Sequence, residues 1–571
     1  MLGLFDHPTG HIVSPHPDPL RRRDREHKEL AATMLKAGIG RHRGSFDNLE
    51  QRPRKKGEAK MQDYPWWKDS QRKLMEEAEK FTDEVLIPSA EKSVHKKEYP
   101  WEAMKAVGEK GWLGATIPEE YGGHQKEWGV TGACILCEQV GRAGAVSSAY
   151  AASMIGATTQ ILHDGNEEQK RRWLPKLATG ELLGSITMTE PYAGSDIASI
   201  ETTAVREGDH YVVNGIKRFQ TGAGAADLYM TYVKTSEDPA DRKAYRHLTG
   251  MIIEKGTPGF SVERVNDWCG SAGMYNCYLR FDNVRVPAAN LLNGQGKGWQ
   301  VMMRGLNVER ILSAAAPLGA MREAMRYARQ HLERRVQFGQ TTGSIATNQF
   351  KLADMYSKYQ LTRLLLYYGA YCADLGRDVP IEAALAKLFC TEAGFEIAAD
   401  AVQCMGGNGV MQIYPVERIM RDMKLNHIAA GTSEIMRLLI YRMGSTLLAG
   451  DLRAPVRMID EELRVPIPVG RPPAAKGPKD AMDVLKVLAE NYRVNPGLHM
   501  TLVDMEPFLA VDREKLLAYL NELEEKGLAS QWRNRKGEVE LIKATLKGIK
   551  EAYPPEHYRH IPSWVGSRDM F

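Results

Sequence analysis

Glu309 and Arg310 stand side by side in Leu306-Asn307-Val308-Glu309-Arg310, a carboxylate next to a guanidinium. A carboxylate held in that way can take a proton, and the neighbouring cation can position it. The plainer alternative is a surface pair at a helix start. Arg335, in Arg335-Val336-Gln337-Phe338-Gly339, carries a fork that suits a pyrophosphate through two parallel hydrogen bonds. Gly406 and Gly407, shortly after Gln403, allow a backbone to approach a ligand closely. Ser195 follows Gly194 in a turn-like run, Glu190-Pro191-Tyr192-Ala193-Gly194-Ser195, where exposed backbone N–H groups can bind an anion.

Other chemistries are missing. Gly222-Ala223-Gly224 is followed by Asp227 where a third glycine would belong, so a dinucleotide fingerprint is not supported. There is no P-loop, no HExxH and no strong metal constellation, and no metal is expected. Cys134 and Cys137 form a CxxC, but in an apolar stretch without a second pair or histidines at ligand spacing; buried helix cysteines are the expectation. A cofactor must be held by some other device.

The elements that could position these residues fall into zones. At 571 residues the chain calls for two or more domains, and 43% hydrophobic with 26% charged residues is a soluble globular composition. A membrane span needs roughly 18 or more apolar residues in a row, and no such run exists. The N-terminus lacks an apolar signal region, and acidic residues scattered through it argue against a transit peptide. Seven cysteines, sparse and odd in number, fit a reducing cytosol, so a cytoplasmic location is expected. Residues 1–60 hold 13 Lys/Arg against 8 Asp/Glu, and the +4 net charge of the whole chain leaves no basic domain for nucleic acid.

Residues 1–62, with Arg21, Arg22 and Arg23, read as a solvated basic extension, and 63–184 as helices. Within them Trp66 to Ile87 has helical composition and should stop at Pro88, and a short helix should open near Asn166 and end near Gly180. From 185 to 294, β-rich runs such as Tyr211-Val212-Val213 and Gly250-Met251-Ile252-Ile253 alternate with the turn signals Asn214-Gly215 and Pro258-Gly259, which predicts an antiparallel sheet domain. Residues 295–450 return to long helices, with Leu318, Met321, Met325 and Leu332 at helical spacing and Pro317 at a kink or first turn; a four-helix bundle is expected. A Pro-rich linker, 451–479, leads to a last unit at 480–571. There Asp512 to Lys526 reads as a helix with Leu516, Leu520 and Leu523 on one face. Ser530–Arg533 and Glu538–Leu541 read as strands around a wing-like turn. Exposed Glu514, Glu522, Glu524 and Glu525 point to a winged-helix-like appendix that contacts protein and not DNA, with a helical cap on the oligomer as the alternative expectation.

Three segments resemble the acyl-CoA dehydrogenase family, in order and in matching zones. Thr187-Met188-Thr189-Glu190-Pro191-Tyr192-Ala193-Gly194-Ser195-Asp196 is similar to its TEPxAGSD signature. Arg335-Val336-Gln337-Phe338-Gly339 is similar to its RxxFG motif, and Gln403-Cys404-Met405-Gly406-Gly407-Asn408-Gly409 to its QxxGGNG turn. Ile117-Pro118-Glu119-Glu120-Tyr121-Gly122-Gly123 and Gly431-Thr432-Ser433-Glu434 support them, and the likeness spans about residues 65–447. It implies an α+β fold of helical, β and helical-bundle domains, and an FAD-dependent enzyme acting on acyl-CoA. Met188, Thr189, Phe219 and Thr221 are implied to border the flavin, and Ser195 to lie near the phosphates. Arg335, Gln337, Phe338, Gln403, Gly406 and Gly407, with Thr432 and Glu434, are implied to contact FAD, several of them from a neighbouring copy. A homo-oligomer, usually a tetramer in relatives, and an electron-transferring flavoprotein as acceptor follow from the same likeness.

The chain departs from many relatives at the base. Their glutamate before the Gly-Thr pair is here Ala430, preceded by Ala429, and an alanine takes no proton. The Leu306–Arg310 segment resembles the isovaleryl-CoA and long-chain branch, where the base sits on this helix instead. Glu309 is then the implied base, Arg310 its positioning partner, and Ala430 a source of a backbone N–H for the thioester oxygen. Two alanines in the pocket wall suit a branched, cyclic or bulky acyl group. An acyl-CoA oxidase, or a non-catalytic protein on the same scaffold, are the competing expectations.

Overall fold

The computed structural model describes residues 64–451, 458–460, 465–467, 477–494, 499–534 and 536–554. The basic extension and most of the Pro-rich linker lie outside these residues. The chain divides at Lys73 into a short first unit and a second of residues 74–571, which holds the sheet, the long helices and the C-terminal core. No helix among the described residues is long and apolar enough to cross a membrane.

The first zone is helical, including Gln125–Val140, Ala145–Ile155, Thr158–Asp164 and Glu167–Thr179. The expected stop at Pro88 is corrected: a π turn, Thr82–Leu86, leads directly into the helix Ile87–Lys96. Pro88 falls in the first turn of that helix, where its missing N–H is no loss. The helix Glu167–Thr179 starts on a reciprocal cap, in which Gln169 N donates to Asn166 Oδ1 and Asn166 N to Gln169 Oε1, both at 2.8 Å. It ends at Gly180, φ 75°. Cys134 and Cys137 are buried and free.

Gln125–Val140 breaks at Gly129 (φ 62°, ψ −165°), and the carboxylate of Asp374, from the end of Ala346–Asp374, accepts from Val130 N at 2.6 Å and Thr131 N at 3.1 Å. That carboxylate does the work of an N-cap from a distant part of the chain. Asp374→Ala is expected to destabilise the protein by about 1–2 kcal/mol, read as a lowered thermal midpoint. An unchanged midpoint would mean solvent replaces the cap at no cost.

Seven strands form one sheet: β1 (Gly184–Thr187), β2 (Thr203–Glu207), β3 (His210–Thr221), β4 (Leu228–Lys234), β5 (Leu248–Glu254), β6 (Phe260–Val265) and β7 (Asn276–Pro287). Their order is β1-β4-β2-β3-β7-β6, with β5 also on β4. The sheet is antiparallel apart from two parallel pairings, β1 with β4 and β2 with β4. Strands β4 and β5 are buried on both faces, which is why apolar and aromatic residues dominate them without strict alternation. Along β4, Leu228, Met230 and Tyr232 enter a core shared with the helices, while Tyr229 and Val233 enter the core on the other face. Pro258-Gly259 is a turn, but Asn214-Gly215 is not: both lie inside β3, where the register with β7 shifts between Val213 and Gly215. The tight hairpin turn is Gly208-Asp209, between β2 and β3. An Asn-Gly pair serves a bulge as readily as a turn, because either needs permissive backbone.

Beyond the sheet come Gly298–Arg334, Ala346–Asp374, Pro380–Met405, Val416–Asn426 and Ser433–Asp451. Pro317 is neither at a first turn nor at an end; it sits mid-helix. Two residues on, a Cβ at Gly319 would fall 2.0 Å from the Glu138 carbonyl oxygen, so this helix and Gln125–Val140 touch backbone to backbone. The last part of the expected bundle is split in two by a turn at 427–432, and that turn belongs to the site.

The C-terminal unit has its own core, built from helices Ala481–Val494, Leu502–Leu509, Arg513–Glu525 and Leu546–Ala552 around the hairpin Ala529–Arg533/Val539–Ala544. Met500 bridges Ile542, adding a short third strand. Asp512 caps the third helix, Leu516, Leu520 and Leu523 are buried, and Gly527 follows at φ 68°. Glu514, Glu522 and Glu525 are exposed, but Glu524 is half-buried and accepts from Gln531 N at 2.9 Å. It is therefore a link to the hairpin, not part of the acidic face.

Candidate active site

The first group gathers where β1 runs out against the end of β3. The Met188 N–H donates to Gln220 Oε1 at 3.2 Å, and Gln220 Nε2 donates to the Thr189 carbonyl at 2.8 Å. Arg218 N donates to the same carbonyl at 3.0 Å. Thr189 is thus fixed through its carbonyl, while its N–H and hydroxyl make no hydrogen bond among the described residues. Phe219 stands on a bulge. The β3–β7 register shifts between Lys217 and Gln220, and Phe219 takes φ 65°, a left-handed conformation rare for a bulky residue. The bulge turns its ring out to 52% exposure, with the Arg218 guanidinium 4.1 Å from the ring centroid. Thr221, half-buried, ends β3, and its carbonyl accepts from Ser185 Oγ at 3.0 Å. Met188, Thr189, Phe219 and Thr221 are therefore brought together, and Ser195 lies exposed on the loop that follows.

Beneath this group is a pair that no sequence motif announces. Lys217 is fully buried, and its Nζ donates to Glu190 Oε1 at 2.8 Å and to the Met188 carbonyl at 2.9 Å. Glu190, buried too, also accepts from Thr202 N at 3.0 Å and Glu201 N at 2.5 Å. Burial pushes the Lys217 pKa down to about 8 against the pull of Glu190.

The second group lies on three helical segments. Glu309 and Arg310, both half-buried, sit in Gly298–Arg334. Burial pushes the Glu309 carboxyl up to about 7, opposed by the charge of Arg310. Burial also lowers the Arg310 pKa, and its Nε is buried without a hydrogen-bond acceptor among the described residues. Close by, the Tyr232 hydroxyl is buried without a partner among the described residues, its pKa raised by burial and then by the charges of Glu309 and Asp164. Lys387, buried on Pro380–Met405, donates to the Gly431 carbonyl at 2.6 Å. Ala430 takes φ 55° and Gly431 φ 93°, and the Ala430 N–H donates to nothing among the described residues. Thr432 Oγ1 accepts from Ile435 N at 3.3 Å, and Glu434 is exposed.

The third group stands apart. Arg335, Gln337 and Phe338 occupy an exposed two-strand hairpin, Val336–Gln337/Gln340–Thr341, with Phe338 at 92% exposure. Gln403, Gly406 and Gly407 are exposed where Pro380–Met405 ends, and Gly406 has φ 56° with open space at its missing Cβ. Among the described residues, no hydrogen bond or ion pair joins these six to the Thr189 or Glu309 groups. No metal-binding cluster occurs among the described residues either.

Lys217, Lys387 and Tyr232 are what sequence reasoning missed. The signal was present for Lys387, a lone cation in the apolar run Ala383-Ala384-Leu385-Ala386-Lys387-Leu388. Such a residue must find a partner or leave the core.

Comparison with known proteins shows the family. The N-terminal, middle and C-terminal domain profiles of acyl-CoA dehydrogenases match residues 68–181, 185–284 and 296–444. The chain is 39% identical over 377 residues to the mitochondrial isovaleryl-CoA dehydrogenase of Pongo abelii, covering 66% of this chain and 88% of that one. It is 40% identical over 373 residues to an acyl-CoA dehydrogenase of Bacillus subtilis, covering 64% and 96%. The butyryl-CoA dehydrogenase structure from Megasphaera elsdenii superposes with a TM-score of 0.64 at 33% identity, over 68% of this chain and 100% of that one.

Proposed function

The chain belongs to the acyl-CoA dehydrogenase family, and from that premise we propose that it converts an acyl-CoA bulky near C3 to the 2-enoyl-CoA, with Glu309 as the base. The observation that carries this reading is the half-buried Glu309, its pKa pushed up to about 7, in a chain whose alternative base position is Ala430. A base poised near the working pH is both available and strong enough to act.

The residues fit an FAD. The unpartnered N–H and hydroxyl of Thr189 offer donors to a ring edge, with Met188, Phe219 and Thr221 around it. Ser195, Thr432 and Glu434 complete the near side. The exposed Arg335, Gln337, Phe338, Gln403, Gly406 and Gly407 find no use within one copy, which supports a homo-oligomer, a tetramer as in relatives, in which they reach a neighbour's cofactor. FAD, when bound, supplies the acceptor for the β-hydride. Glu309 takes the α-proton, Arg310 positions the carboxylate and partly opposes the burial that favours its protonated form, and the Ala430 N–H donates to the thioester oxygen as charge gathers there. Electrons leave to an electron-transferring flavoprotein, and the working compartment is the cytoplasm. The six domains run 1–62, 63–184, 185–294, 295–450, 451–479 and 480–571, with the last contacting protein.

The test is anaerobic bleaching of the purified yellow protein with butyryl, octanoyl, branched and cyclic acyl-CoAs. Bleaching with kcat/KM highest for a branched or cyclic chain is expected; a strong preference for butyryl would contradict the pocket argument. A colourless protein that takes up no FAD would remove the assignment. Peroxide production under air at the full turnover rate would move it to an oxidase. Truncation after Gly450 should leave bleaching intact.

A further inference from the structure

The turn at 427–432 has to present one N–H, and its backbone is not relaxed. Ala430 and Gly431 are consecutive left-handed residues, at φ 55° and 93°, and alanine is a poor choice for that region. Something must hold the turn there. At one end, His427 Nε2 lies 3.1 Å from the Thr391 carbonyl, and the His427 carbonyl accepts from Ser433 N at 2.9 Å. At the other end, the Thr432 carbonyl accepts from Met436 N at 2.9 Å. Between these anchors Ile428 N and Ala429 N both donate to the Leu425 carbonyl at 3.1 Å, and beyond Ala430 the side chain of Lys387 grips the turn, its ammonium donating to the Gly431 carbonyl at 2.6 Å.

Lys387 is only 1% exposed, and no carboxylate pairs with it among the described salt bridges. A buried ammonium whose close acceptor is a single carbonyl is costly, so it persists where it is needed. A neutral donor would give a weaker bond, since a charged donor roughly doubles its strength. Burial and then the neighbouring Arg310 push the Lys387 pKa down to about 8, with Glu392 and Glu434 acting the other way, so the site weakens the ammonium but leaves it the main form at neutral pH.

We propose that Lys387 is a positioning residue for the thioester oxygen: by clamping the Gly431 carbonyl it holds the left-handed turn that presents the Ala430 N–H. It touches no substrate itself. This rests on the α,β-dehydrogenation reading, which makes that N–H the donor to the substrate.

The test compares two ligands on the holoenzyme, wild type and Lys387→Met. The first is 3-oxohexanoyl-CoA, whose enolate places negative charge on the thioester oxygen; the second is hexyl-CoA, a thioether without that oxygen. Lys387→Met is expected to bind hexyl-CoA as the wild type does, to bind the 3-oxo ligand at least about tenfold more weakly, and to raise the pH at which its ultraviolet enolate band appears. Equal loss for both ligands, or for neither, overturns the proposal. Should the methionine variant fail to fold, Lys387→Gln carries the same comparison, with at least a threefold selective loss expected and the same overturning result. Wild-type protein that no acyl-CoA bleaches would fail the dehydrogenation reading and leave the ligand comparison to judge Lys387.

Discussion

Glu309→Gln is expected to retain FAD and acyl-CoA and to lose flavin reduction by roughly a hundred- to ten-thousand-fold, the range a positioned base contributes. The amide has nearly the carboxylate's shape and keeps its place on Gly298–Arg334, but its nitrogen does not accept a proton. Stopped-flow reduction under anaerobic conditions separates the two steps, because ligand binding perturbs the flavin spectrum before bleaching. The wild type should show the same residue in its pH profile. With the free-enzyme pKa pushed up to about 7, the base is protonated at lower pH, so kcat/KM should fall about tenfold per pH unit below 7 and level off above it. The glutamine variant should lack that limb. Normal bleaching by Glu309→Gln would place the base elsewhere, and Glu434, exposed two residues past Thr432, would be tested next.

Lys217→Met should cost about 3–5 kcal/mol, the penalty for leaving the other half of a buried pair uncompensated. Glu190 would stay in the core with only the Glu201 and Thr202 N–H groups to answer its charge. The Met188 carbonyl would lose the ammonium at 2.9 Å as well. Both losses strike the segment that carries Thr189, so FAD content should fall along with the thermal midpoint. The double variant Lys217→Met/Glu190→Gln, which removes both charges, should recover much of the stability. A single variant within about 1 kcal/mol of wild type would show that water reaches Glu190, which sinks the argument.

The appearance of this site in sequence was uneven, and the reason is physical. Motifs whose chemistry is local were legible. The Thr187–Asp196 run, the Arg335 hairpin and the Gln403–Gly409 turn keep their Gly, Pro and charged residues within a few positions of one another in the chain, so they can be read as motifs without knowing the fold. Legible too was that Ala430 offers no proton acceptor where Glu309 offers a carboxylate, which is what motivates the Glu309→Gln test. Helix zones followed from periodicity, and the sheet zone from β-rich runs such as Gly250–Ile253, which lies in β5.

What only the tertiary structure decided was which distant groups close on one another. Pro88 and Asn214-Gly215 looked like punctuation, but Pro88 falls in the first turn of a helix that continues from a π turn, and a bulge set by the β3–β7 register absorbs Asn214-Gly215. Lys217 was one of two adjacent cations in a strand of mixed polarity, and Lys387 a lone cation in an apolar helical run. Their meaning lies in acceptors 27 and 44 residues away in the chain, Glu190 and the Gly431 carbonyl. A buried charge is tolerated only beside its partner, and sequence records the charge while folding alone supplies the partner.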